Sequence, residues 1–228
     1  MSEAKPQVAM GGVAEDFQFS DSDLELISSD GQVFRIHKYK LQAASPVFRS
    51  VFETGNDDGK LQLTDETIET GPHIGNFLKI LYGRELNAPH YYEDLTYTCE
   101  GLWRLIEKYD AAPAKEHLHM CLWRWARSCD YSAHRFFWFA SQMDFPDIGV
   151  AALQSEEILS WRNQQLKGVD TLDLASWSLY DFRQLDHEYI LAWCRARRNA
   201  LPDSAKQLDH KKMGTEFEKI MKAFRDQK

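Results

Sequence analysis

Apolar positions recur every second residue early in the chain and every third or fourth residue later, and this change predicts the architecture. Leu24-Glu25-Leu26-Ile27-Ser28 reads as a strand, Ser29-Asp30-Gly31-Gln32 as a turn, and Val33-Phe34-Arg35-Ile36-His37 as a second strand. An Asp-Gly pair in so short a connection predicts a hairpin. Lys38 to Ala44 then carries Leu41 and Ala44 at helical spacing. Ser45-Pro46 is a helix start, with serine at the N-cap and proline at the first helical position. Val47, Phe48, Val51 and Phe52 form the apolar face of that short helix, residues 54–59 a polar loop, and Leu61-Gln62-Leu63 a third strand.

Beyond this point the pattern is helical. Ile74, Phe77, Leu78 and Leu81 share a face, and Gly83 is the expected C-cap. Leu95, Cys99, Leu102, Ile106 and Tyr109 make a long amphipathic stripe that Pro113 ends. Leu118, Cys121, Leu122 and Trp125 mark another helix, and further helices are expected over 133–143, 148–166, 173–198 and 204–226. Phe217, Ile220, Met221 and Phe224 share a face of the last. Residues 1–19 show little periodicity and are expected to be a disordered tail. The expected division is therefore 1–19, an α/β part over 20–128, a helical extension over 129–200 and a basic terminal helix over 201–228. The fold class is α+β.

The chain of 228 residues is 43% hydrophobic and 27% charged, the composition of a folded globular protein. The net charge of −8 is uneven: residues 1–99 carry −8, residues 100–194 carry −5 and residues 195–228 carry +5. Nucleic-acid binding by the acidic body is therefore disfavoured, whereas Arg195, Arg197, Arg198, Lys206, Lys211 and Lys212 could meet an anionic partner. Interleaved acids make a solvated helix the plainer reading of that segment. The longest apolar run, Phe136-Phe137-Trp138-Phe139-Ala140, is too short to cross a membrane. The first twenty residues contain Glu3, Glu15 and Asp16 and no apolar core, so no secretory signal is expected. Four cysteines without a CxxC pair read as free thiols of a protein of the cytoplasm, the nucleus or both.

Nothing in the chain marks a catalytic or cofactor centre. GxGxxG, GxxxxGK[ST], HExxH and GxSxG are absent. His117 and Cys121 share a helical face, but they are two ligands where a structural zinc needs four. Glu156-Glu157 reads as a solvated face, and seven tryptophans fit core packing or a protein-binding surface. The expectation is no enzyme activity, no cofactor and no metal.

From Asp23 to Trp125 the chain resembles the BTB/POZ domain family. The resemblance is carried by Asp23-Leu24-Glu25-Leu26, Gly31 and Phe34, then by His37-Lys38-x-x-Leu41-x-x-x-Ser45-x-x-Phe48-x-x-x-Phe52. It continues in Phe77-x-x-x-Leu81-Tyr82 and Lys108-Tyr109-Asp110, where Glu107 stands in place of the usual small residue. An acidic leucine-rich hairpin followed by a long helical part is similar to fungal members of the family. The resemblance implies a short sheet capped by helices over 20–128, followed by an all-α region. It also implies a buried, structural His37. Ser45 reads as a helix cap worth about 1 kcal/mol. Phe48 and Phe52 are expected in the core, each worth roughly 3–5 kcal/mol against alanine.

The family role is protein–protein interaction, often as a homodimer. In the dimerising transcription-factor branch an acid and a base line an interface pocket, and Asp23 and Lys38 occupy the matching positions. The exchanged first strand of that branch needs a β-like segment before Asp23, where only Phe17 and Phe19 alternate. A second family role is substrate recruitment to a cullin-type ubiquitin ligase. Residues 54–59 lack the hydrophobic-x-Glu pattern of such adaptors. A third reading, a regulator of transcription or chromatin, rests on the basic C-terminal segment. The expected function is thus a scaffold, regulator or homodimerising adaptor.

Overall fold

The computed structural model describes residues 13–55, 58–88, 92–128, 133–154, 173–201 and 208–227. These fall into two compact units, Met1–Leu118 and His119–Lys228.

The first unit is built on a hairpin. Strands β2 (Leu24–Ile27) and β3 (Val33–Ile36) pair antiparallel, with Leu24 opposite Ile36 and Leu26 opposite Phe34. These four side chains are at most 3% exposed. Alternate residues point outward, which places Glu25 beside Arg35 on the other face. Gly31 makes the turn at φ 82°, a conformation that favours glycine. Strand β4 (Lys60–Gln62) adds parallel to β2. Strand β1 (Val13–Gln18) adds parallel to β3, giving the order β1-β3-β2-β4.

β1 corrects the expectation of a disordered tail over 1–19, and it supplies a β segment before Asp23. Phe17 is 1% exposed and lies 5.5 Å from the Tyr82 ring and 6.3 Å from Phe34. Phe19 stacks on Tyr82 at 5.1 Å, and its N–H donates to the Arg35 carbonyl. The Arg84 guanidinium covers the Phe17 ring at 4.7 Å. A strand at a sheet edge needs apolar residues on one face only, so two aromatics in a polar run suffice. The expected tail residues 1–12 lie outside the described residues.

Helices cover the sheet. α1 (Lys38–Ala44) follows His37, and α2 (Pro46–Thr54) starts where expected. α3 (Gly71–Leu81) is stopped by Gly83, two residues past its end, at φ 65°. There Gly83 N–H donates to Ile80 and Arg84 N–H to Lys79, the paired bonds of a Schellman cap. Leu95, Cys99, Leu102, Ile106 and Tyr109 are all buried, four of them on α4 (Tyr92–Lys108) and Tyr109 just past its end. The division between the units falls within α5 (Ala112–Arg127).

The second unit is all helical among the described residues: α6 (Ala133–Met143), α7 (Pro146–Gln154), α8 (Leu179–Arg183), α9 (His187–Ala200) and α10 (His210–Arg225). The single helix expected over 173–198 is instead a 3-10 turn (Leu174–Ser176) followed by α8 and α9, because Asp173, Ser178 and Asp186 each cap a new start. The helix expected over 148–166 is described from Pro146 to Gln154, and its remainder lies outside the described residues.

The terminal helix is not a segment apart over 201–228. α10 packs on α9 and α7, and Met213, Phe217 and Met221 are at most 1% exposed. Phe217 lies 5.5 Å from Phe137 and 5.7 Å from Tyr189. Arg225 bonds both the carboxylate and the carbonyl of Asp144, whose φ of 52° ends α6 sharply. The basic composition of the segment is its outer face, while its inner face completes a core.

Phe17→Ala should destabilise the first unit by about 3 kcal/mol, read from its urea midpoint, since it empties a buried aromatic site. His134 is 4% exposed and stands edge-on to Trp177 at 4.2 Å. Burial, aided by the charge of Arg135, pushes its imidazole down to about 4. A folded-state value below the unfolded one contributes stability that is present above pH 6.5 and lost as pH falls towards 4. Urea titrations across that window should show a loss of about 3 kcal/mol, which His134→Phe should largely abolish.

Candidate interaction surface

Asp23 Oδ1 accepts from the Lys38 backbone N–H at 2.7 Å and so satisfies a free donor at the start of α1. Lys38 extends its ammonium over the Phe52 ring at 5.0 Å. The acid and base of the expected pocket are thus brought together through the main chain of Lys38. Phe52 was expected in the core and is only half-buried, stacked on the fully buried Phe48 at 6.2 Å. Leu81 is likewise half-buried, and Leu41 is fully buried. Beside Lys38, Tyr39 is 56% exposed, a large aromatic that the sequence pattern did not single out.

His37 is tied to Tyr82. Its backbone N–H donates to the Tyr82 hydroxyl at 2.8 Å, and its Nδ1 lies 2.9 Å from the same oxygen. Its Nε2 reaches Asp21 at 3.3 Å. Both ring nitrogens are engaged at the β3–α1 corner, and the residue, expected to be buried, is half-buried. Burial pushes the Tyr82 phenol up, so its hydroxyl stays protonated at neutral pH.

Ser45 does two jobs. Its Oγ accepts from Phe48 N–H at 3.1 Å, capping α2, and donates to the carbonyl of Tyr109. The Tyr109 ring stacks on Phe48 at 4.1 Å, and its hydroxyl donates to Glu69.

Glu69, which sequence reasoning missed, is the centre of this network. It is 2% exposed. One carboxylate oxygen accepts from Thr64 N–H at 2.8 Å and Asp65 N–H at 2.7 Å. The other meets the Lys108 ammonium at 2.7 Å and the Tyr109 hydroxyl. Burial pushes its carboxyl up, but Lys108, Tyr109 and the Asp65 amide together hold it below the ordinary carboxylate range. Bonds from Thr67 hold Asp65 down at about 2. Burial opposes the charge of Lys108, yet Glu69 and Asp65 raise it. All three groups are ionised at neutral pH. A glutamate inside Thr64-Asp65-Glu66-Thr67-Ile68-Glu69 looks like a polar loop residue, and only its meeting with Lys108-Tyr109 marks it.

The outer face of the sheet carries an ion-pair row. Glu25 bridges Arg35 at 3.5 Å and Lys60 at 3.2 Å, its neighbours on β3 and β4. In the second unit, Arg195, Arg198, Lys211 and Lys212 are exposed, with Arg195 over the Phe224 ring at 5.5 Å. Arg197 is committed inward, lying 5.1 Å over Trp193 and 3.6 Å from Asp173. Lys206 lies outside the described residues. Among the described residues no three His, Cys, Asp or Glu side chains are grouped to hold a metal, and no helix is long and apolar enough to cross a membrane.

The family profile of the BTB/POZ domain matches residues 16–122. Residues 16–122 are a BTB/POZ domain. The match begins within β1, in keeping with that strand's place in the sheet. The fold is α+β, a small mixed sheet with helices, followed by an all-helical C-terminal region. Comparison with curated proteins finds no match. BTB/POZ domains are protein–protein interaction modules, in general rather than enzymes.

Removing the Glu69 charge tests the network. Glu69→Gln leaves Lys108 without its buried partner and should cost about 3 kcal/mol at neutral pH. A carboxyl whose folded value is depressed contributes stability that is present above the unfolded value, near 4.5, and lost as pH falls through the folded one. Wild-type stability should therefore fall below pH 4.5 more steeply than that of Glu69→Gln, in paired urea titrations.

Proposed function

We propose that the protein is a non-enzymatic scaffold or regulator that self-associates through its BTB/POZ domain, in the cytoplasm, the nucleus or both. The observation that carries this reading is the set Asp23, Lys38, Tyr39 and Phe52, where an exposed aromatic and a half-buried one stand beside an acid and a base linked through the Lys38 main chain. Aromatic residues are enriched at the buried centres of protein interfaces, and charges such as Asp23 and Lys38 belong to the polar rim around them. Four cysteines without a CxxC pair support a reducing compartment. The exposure of Arg195, Arg198, Lys211 and Lys212 supports a second contact, with an anionic partner. That contact would weaken steeply with salt. The ligase-adaptor role has no comparable support: Asn56 and Asp57 of the loop concerned lie outside the described residues, and the loop lacks the adaptor pattern.

Sedimentation velocity of the full chain should show a concentration-dependent dimer. Tyr39→Ser should weaken that association by about tenfold while changing stability by less than about 0.5 kcal/mol, since the side chain is exposed in the protomer. A chain that stays monomeric at high concentration overturns the self-association reading.

A further inference from the structure

A cavity of about 420 Å³ opens on the outer face of the sheet, where the β1–β2 turn meets the start of β4. Ser20, Ser22, Asp23, Glu25 and Asp58 line it. Arg35 and Lys60 supply its cations, with side chains 57% and 61% exposed. Ser20 is exposed, at the first central position of a turn that Ser22 N–H closes onto the Phe19 carbonyl at 3.3 Å. Ser20-Asp21-Ser22-Asp23 places acids one and three residues after Ser20. That is the pattern an acidophilic serine kinase reads with its own basic residues. Ser22 has the same spacing to Asp23 and Glu25, but it is half-buried. Glu25, three residues after Ser22, is drawn to Arg35 and Lys60, whereas Asp23, which both serines share, is exposed and bonded to the Lys38 N–H. Asp21, which also meets His37 Nε2 at 3.3 Å, has a side chain 80% exposed.

We propose that Ser20 is a phosphorylation site for an acidophilic serine/threonine kinase, and that Arg35 and Lys60 hold the phosphate in the cavity. In the transfer, Ser20 Oγ attacks the γ-phosphorus of ATP. The Oγ–P bond forms as the bond to the β,γ-bridging oxygen breaks. ADP leaves, and the hydroxyl proton passes to the kinase's base. The product carries close to two negative charges and three strong acceptor oxygens. It competes with Glu25 for the guanidinium of Arg35, which offers a carboxylate or phosphate two parallel donors. Two cations against three carboxylates leave the unmodified cavity nearly balanced, so the modification turns this face of the sheet strongly anionic. The assignment is independent of the self-association reading.

The test incubates the full chain with ATP, magnesium and a casein-kinase-type acidophilic holoenzyme, and maps the product by tandem mass spectrometry. Phosphate on Ser20, with incorporation reduced about tenfold or more in Ser20→Ala, is the expected result. Phosphorus NMR then follows the second ionisation of the phosphate, ordinarily near 6. Removing both cations in Arg35→Gln/Lys60→Gln should raise it by about half a unit or more, because the dianion loses its partners. No incorporation into the folded chain, or incorporation on Ser22 or elsewhere in place of Ser20, overturns the site. A phosphate that titrates identically in the double variant overturns the role of Arg35 and Lys60.

Discussion

The BTB/POZ domain is organised around one buried carboxylate. Taking the Glu69 charge out of water costs several kcal/mol, and the fold meets that cost with four donors from two directions. Two amides come from the segment after β4, and an ammonium and a phenol come from the end of α4. Its main-chain carbonyl adds a third direction, accepting from Ser29 N–H at 2.9 Å and Ser29 Oγ at 3.1 Å in the hairpin turn. Tyr109 passes the constraint onward, stacking on Phe48 and accepting from Ser45. Hairpin, α2, α4 and the approach to α3 are therefore held by a set in which each polar group depends on the others. A half-satisfied version would be worse than none.

The helical unit uses a smaller device of the same kind. Asp144 sits in the left-handed region after α6 and receives the Arg225 guanidinium and the Tyr189 hydroxyl. These partners come from α10 and α9, so a single acid pins the last helix and the one before it. Phe217 fills the space between Phe137 and Tyr189. A helix that carries four lysines and two glutamates is held by three buried apolar residues and one terminal arginine.

These cores leave distinct surfaces outside. Around Asp23 and Lys38 the main chain, rather than a side-chain ion pair, links the two charged residues. The Lys38 ammonium lies against Phe52 instead, and Phe52 stays half-open to solvent. On the sheet's outer face, Glu25 is shared between two cations that remain mostly exposed, which leaves them able to exchange one anion for another.

Much of this was legible in the chain. Alternation at Leu24, Leu26, Phe34 and Ile36 determined the hairpin, because a sheet with one buried face demands that period. Ser45-Pro46 and Gly83 determined where α2 starts and α3 stops, because only a few residue types satisfy helix ends. The ordered signature from His37 to Tyr109 was enough to indicate the family. Tertiary structure decided the rest. β1 became a strand because Tyr82, Phe34 and Arg84 receive Phe17 and Phe19, and those contacts lie far away in sequence. Glu69 became the hub because Lys108 and Tyr109 arrive from another helix, and one glutamate in a polar loop carries no periodic signal. The basic C-terminal helix became part of a core because Asp144 and Phe137 await it. Local spacing reports which face of an element is apolar, but only the folded chain determines what meets that face.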